Sequence, residues 1–156
     1  MQALKHILVD QQAALAKELD GKVLELVRDQ NGNHVVQKVI KRVHWTYIPF
    51  VIDACVQNLP QLASHNYGCR VVQRLLRHYD GPLMSLILRE LHAGSQALIV
   101  NQYGNYVTQH IIEFGAPEDK ARIIQTVKRN LVSYTREKFA SNVVEKCILH
   151  LSLIHI

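Results

Sequence analysis

The sequence predicts an all-α solenoid, a stack of three-helix units that repeat every 36 residues. Three observations predict it. Four stretches align without gaps, DQNGNHVVQKVI at 29–40, HNYGCRVVQRLL at 65–76, NQYGNYVTQHII at 101–112 and EKFASNVVEKCI at 137–148, with Gly32, Gly68, Gly104 and Ala140 at one constant spacing. A period of this length marks stacked helical units that bury their apolar faces against one another. Only four prolines and seven glycines interrupt long Leu/Ile/Val runs, which favours helices over strands. Finally, 156 residues with 48% hydrophobic content and a mean hydropathy of −0.02 suit one compact domain or a short repeat array.

The elements follow in order. Counting back one period, Gln2 matches Lys38 and Leu4 matches Ile40, so residues 1–19 read as the remnant of a preceding unit whose motif helix is incomplete. Units then span about 20–55, 56–91 and 92–127, followed by a partial unit at 128–150. The hexapeptide LSLIHI at 151–156 is an atypical tail, standing where a return helix is expected. Uncapped ends point to a fragment of a longer array. Within each unit a short apolar segment (VLELVRD, LPQLASH, QALIVNQ, LVSYTRE) turns into the motif helix, which offers Val35, Val36, Val39 and Ile40 or their counterparts to the core. A return helix follows. Pro82 and Pro117 suit its first turn, and Glu118 and Asp119 suit its positive end. Cys55 and Cys147 read as packed thiols, and Tyr67, Tyr103 and Phe139 as core packing or packing between units.

Composition narrows the function. A net charge of +5 and a pI near 9.2 favour an anionic partner, nucleic acid first. Three cysteines, Cys55, Cys69 and Cys147, without a C-x-x-C pair fit a reducing compartment, cytosolic or nuclear. Lys5, His6 and Asp10 break any signal-peptide apolar region, and no apolar run approaches the roughly 18 residues of a membrane span. The nine histidines show no metal-ligand spacing, so no metal or cofactor is expected. No nucleophile–base pair, phosphate loop or carboxylate dyad stands out, and the chain is not read as an enzyme.

The motif helices carry the informative residues. At about 100° per residue, Asn105, Tyr106 and Gln109 share one arc of roughly 100°, opposite Val107, Thr108, Ile111 and Ile112. Across the four units these positions vary while their neighbours do not: Asn33/His34/Gln37, Cys69/Arg70/Gln73, Asn105/Tyr106/Gln109 and Ser141/Asn142/Glu145. His34, Arg70 and Tyr106 can stack on a base through a ring or guanidinium plane, and Asn142 offers a smaller amide plane. Two amides suit the acceptor–donor–acceptor edge of uracil. Glu145, an acceptor only when ionised, suits the paired N–H donors of guanine. Cys69 with Gln73 leaves room for adenine. Lys38, Arg74 and Lys146 recur beside this face and either approach phosphates or are simply solvated.

GNHVVQK, GCRVVQR, GNYVTQH and ASNVVEK closely resemble the RNA-binding helices of Pumilio/PUF repeats, a family that reads one base per repeat. The resemblance covers roughly residues 2–150. It implies a right-handed superhelix that binds single-stranded mRNA antiparallel. Asn33/Gln37 and Asn105/Gln109 would then face uracil, Cys69/Gln73 adenine and Ser141/Glu145 guanine, with His34, Arg70, Tyr106 and Asn142 stacking. The implied target is 5′-GUAU-3′, inside a UGUA-type element of a 3′ untranslated region. By the same analogy the protein is a cytoplasmic monomer that recruits deadenylation or repression machinery and so controls translation and mRNA stability. The alternative is a HEAT- or armadillo-like scaffold that binds protein. Four bases at roughly 1–3 kcal/mol each predict binding around micromolar once ordering costs are subtracted.

Overall fold

A computed structural model describes the backbone of residues 2–154 and the side chains of residues 6–151. Twelve α-helices follow one another, with no strand among the described residues. After α1 (Gln2–Lys17) come α2 (Val23–Val27), α3 (Gly32–Arg42) and α4 (Pro49–Gln57). The next unit is α5 (Leu59–Ala63), α6 (Gly68–His78) and α7 (Gly81–Ala93). It is followed by α8 (Ser95–Ile99), α9 (Gly104–Phe114) and α10 (Pro117–Arg129), then α11 (Leu131–Thr135) and α12 (Ala140–Ile154). Helix α12 runs on into the closing hexapeptide, whose last two residues, 155 and 156, lie outside the described residues.

The short helices turn into the motif helices through one repeated device. Asp29 Oδ1 accepts from the backbone N–H groups of Asn31 (2.9 Å) and Gly32 (2.7 Å). One period later His65 Nδ1 accepts from Tyr67 (3.1 Å) and Gly68 (3.2 Å), and after another Asn101 Oδ1 accepts from Tyr103 (2.9 Å) and Gly104 (2.8 Å). Each acceptor satisfies N–H groups that a helix start leaves without intrahelical partners. The bonds from Gly32 and then Asn31 hold the Asp29 carboxyl below the usual range, against a smaller effect of burial. At the return helices Pro49, Pro82 and Pro117 occupy the first turn, where a missing N–H costs nothing. Helix α10 also carries Glu118 and Asp119 at its positive end and Lys128 and Arg129 at its negative end.

Packing then orders the units. The motif helices α3, α6, α9 and α12 stack side by side in chain order, and α7 packs on α10. Val36 and Ile40, Val71, Val72 and Leu75, Val107, Ile111 and Ile112, and Val143, Val144 and Cys147 form one continuous buried core. Between the return helices His92 Nε2 lies 2.8 Å from Asp119 Oδ1, joining α7 to α10. Val35 departs from the expected core set. It is 51% exposed, whereas Val71, Val107 and Val143 at the same position are fully buried. Those three belong to the continuous core. Val35 instead lines an open apolar cleft with Leu15, Ala16 and Leu19, in α1 and the turn after it.

Candidate nucleic-acid interface

Within the first two turns of each motif helix, the three variable residues differ in depth. Asn33, Cys69 and Asn105 are buried and Ser141 is half-buried. His34, Arg70, Tyr106 and Asn142 are exposed. Gln37, Gln73 and Gln109 lie between these extremes, and Glu145 is exposed. Because i and i+4 are neighbours on a helix face, the first and third residues of each unit meet, with the second beside them. The structure therefore brings all twelve residues into one strip along the stacked helices.

Hydrogen bonds show why the first residue sits deep. Asn33 Nδ2 donates to the carbonyls of Asp29 (2.8 Å) and Gln30 (2.9 Å), and Gln37 Nε2 donates to Asn33 Oδ1 (2.9 Å). The third unit repeats this: Asn105 Nδ2 donates to Asn101 (2.9 Å) and Gln102 (3.0 Å), and Gln109 Nε2 to Asn105 Oδ1 (2.9 Å). In both units the glutamine presents the accessible amide edge while the asparagine anchors it from below. The second unit keeps the layout with different atoms. Cys69 Sγ donates to Asn66 O (3.3 Å) and Gln73 Nε2 to Cys69 O (3.1 Å). In the fourth, Ser141 Oγ donates to Lys138 O (3.1 Å), and Glu145 makes no ion pair among the described residues, leaving its carboxylate available to donors.

The charge of the strip is uneven. Arg70, Arg74 and Arg77, with His34, Gln37, Gln73 and His110, line a polar cleft of about 340 Å³ that contains no carboxylate. Burial, then Arg77, lower the pKa of His110, while Glu113 opposes them. Burial and the charges of Arg74, Lys41 and Arg77 likewise lower that of His78. The recurring basic positions diverge: Lys38 is exposed, Arg74 Nε donates to Gln37 Oε1 (3.3 Å), and Lys146 Nζ pairs with Glu113 Oε2 (3.2 Å).

Two features escaped the sequence. The capping acceptors Asp29, His65 and Asn101 were legible in principle, since an acceptor side chain recurs three residues before each glycine. The cross-unit bond from Arg74 to Gln37 had no local signal. The cysteines are all buried, and burial pushes the Cys55 thiol up to about 12 and Cys147 to about 11. Among the described residues no cluster of three or more His, Cys, Asp or Glu could hold a metal ion. No described helix is long and apolar enough to cross a membrane.

The chain is similar to known proteins in sequence and fold. The Pumilio-family RNA binding repeat matches residues 22–43, 58–92, 97–127 and 130–156, so each match carries one motif helix. Fem-3 mRNA-binding factor 2 of Caenorhabditis elegans is 33% identical over 154 residues, covering 86% of this chain and 24% of that protein. Putative pumilio homolog 7, chloroplastic, of Arabidopsis thaliana is 30% identical over 127 residues, 81% of this chain and 20% of that protein. Among solved structures, the Puf3 RNA binding domain bound to a Cox17 RNA 3′ UTR recognition sequence superposes with a TM-score of 0.84 at 42% identity, over 90% of this chain and 43% of that one. PUF-8 in complex with PBE-RNA gives a TM-score of 0.84 at 36% identity, over 90% and 42%. The chain thus spans about a fifth to a quarter of these curated relatives and less than half of these solved chains. The α-solenoid expected from the period is the fold of these neighbours, and the chain belongs to the Pumilio family of RNA-binding repeat proteins.

Proposed function

We propose that this chain binds single-stranded mRNA by sequence, one base per motif helix, and reads 5′-GUAU-3′. The observation that carries the proposal is a strip of changing polar residues on an unchanging scaffold. Successive stacked helices offer Ser141/Glu145, Asn105/Gln109, Cys69/Gln73 and Asn33/Gln37 as edge-reading pairs, beside the exposed planes of Asn142, Tyr106, Arg70 and His34. Glutamine makes the first contact in the uracil-reading units. Asn33 and Asn105 reach a base edge only by giving up internal bonds, and otherwise act by aiming Gln37 and Gln109. The cationic cleft at Arg70, Arg74 and Arg77 supplies attraction for the backbone.

In this reading the site lies within a UGUA-type element of a 3′ untranslated region. The protein acts as a monomer in the cytoplasm and lowers translation or mRNA stability through deadenylation or repression machinery. Family membership and the RNA-bound relatives support the binding step; the regulatory step rests on family analogy. The test of base reading is the double substitution Ser141→Asn with Glu145→Gln, which gives the fourth unit the chemistry of the third. In competition binding it moves preference at the 5′ base from G to U. An unchanged preference would mean that these residues do not read bases, and would favour the protein-scaffold reading, for which the exposed Trp45 and Tyr47 offer a surface.

A further inference from the structure

The glutamines of the motif helices differ in how firmly their amides are oriented. A carboxamide turned by 180° exchanges its donor and its acceptor, so its direction decides which base edge it matches. In the first unit the direction is forced from both sides. Backbone carbonyls only accept, so Asn33 must aim its Nδ2 at Asp29 and Gln30 and its Oδ1 at Gln37. Gln37 Nε2 donates to that oxygen, which turns Gln37 Oε1 outward. From the next unit, Arg74 Nε donates to the same Oε1 at 3.3 Å, and a guanidinium can only donate. The two constraints agree, and they come from different helices, α3 and α6.

Among the described residues, Gln73 and Gln109 are each bonded only from within their own helix. Gln109 is bonded by Asn105 from below, but Lys146, which stands where Arg74 stands, is turned to Glu113 at 3.2 Å. Gln73 donates to the backbone of Cys69, and among the described residues the counterpart in the next unit, His110, makes no hydrogen bond to it.

We propose that Arg74 is a specificity-determining positioning residue for the base faced by the first unit, acting across the unit boundary by fixing the direction of the Gln37 amide. This rests on the base-reading function proposed above. Uracil and cytosine differ by the exchange of donor and acceptor at two adjacent edge positions, an acceptor O4 beside a donor N3–H in uracil and a donor N4–H beside an acceptor N3 in cytosine. An amide free to turn matches either; a fixed amide matches one. Arg74 therefore sharpens discrimination of U from C at the 3′ base, and Lys146 does nothing comparable for Gln109.

The test is competition binding of the whole chain at fixed salt with RNAs containing GUAU, GUAC and GCAU, for the unaltered protein, Arg74→Gln and Arg74→Lys. Glutamine at 74 can donate or accept and imposes no direction, whereas lysine still only donates. In Arg74→Gln the U-over-C ratio at the 3′ base falls by about tenfold, the scale of one lost hydrogen bond to a charged group. The ratio at the second base, read by Gln109, stays unchanged, and Arg74→Lys retains most of the 3′ ratio. Uniform weakening of all three RNAs by Arg74→Gln, with both ratios preserved, would reduce Arg74 to a plain phosphate attractant and overturn the proposal. So would a fall of both ratios together, or a loss in Arg74→Lys as large as in Arg74→Gln. An unaltered protein that binds all three RNAs equally would overturn base reading itself, a separate outcome from losing the Arg74 effect alone.

Discussion

A methyl group placed at Gly68 tests how tightly the short helices hold the motif helices. A Cβ there falls 2.5 Å from the carbonyl oxygen of Leu62, 2.9 Å from its Cα and 3.1 Å from its carbonyl carbon. Unstrained carbon contacts lie near 3.5–4.0 Å, so α5 and α6 must separate by on the order of 1 Å. All three obstructing atoms are backbone, and no side-chain rotation relieves them. Overpacking of this kind costs about 1–3 kcal/mol, and the helical preference of alanine over glycine returns at most about 1 kcal/mol. Gly68→Ala is therefore expected to destabilise by about 1–2 kcal/mol. Ala140 occupies the same position in the fourth unit and is fully buried, so Ala140→Gly is expected to destabilise as well, through a lost buried methyl and a freer unfolded chain. The assay is urea unfolding followed by circular dichroism, with midpoints compared because a repeat array need not unfold in two states. With a slope of about 2 kcal/mol per molar urea, each midpoint falls by roughly 0.5–1 M. A midpoint for Gly68→Ala at or above that of the unaltered protein would refute the close approach as the reason for glycine.

Two further outcomes follow from burial and charge. Val71→Ala removes fully buried atoms of α6 and costs about 2 kcal/mol, whereas Val35→Ala at the same position, half exposed, costs under about 0.5 kcal/mol; equal losses in urea unfolding would contradict the open cleft beside α1. His78 and His110 are both expected to titrate below 6.5 by NMR. A depressed histidine favours the folded state above the unfolded value of 6.5, and this contribution disappears as pH falls through the folded pKa. A value above 6.5 for either imidazole would contradict the described surroundings of that ring.

Much of the fold is local enough to read along the chain. The period, the short apolar segments that became α2, α5, α8 and α11, and the prolines that open α7 and α10 each depend on residues a few positions apart. Val35 shows the limit. Its counterparts at the same position are fully buried, and a pattern within one unit does not reveal how far the packing between units closes over a side chain. The twelve variable residues were visible as a set because a helix fixes which side chains share a face. Their depths were not visible. Asn33 and Asn105 are drawn under the surface by carbonyls of the preceding turn, and Gln37 is held by an arginine from the next unit. Such bonds depend on how helices stack, which no single motif encodes.

Whether the strip distinguishes bases decides the function most directly. Fluorescence-anisotropy titration of this chain with a short labelled RNA containing GUAU, and with a twin in which only the G becomes U, measures this at one salt concentration, because phosphate contacts make affinity salt-dependent. Base reading by the strip gives weak binding, around micromolar, with clear preference for the G-bearing RNA through Glu145. Equal binding to the two RNAs would contradict it, leaving a basic helical surface without base reading.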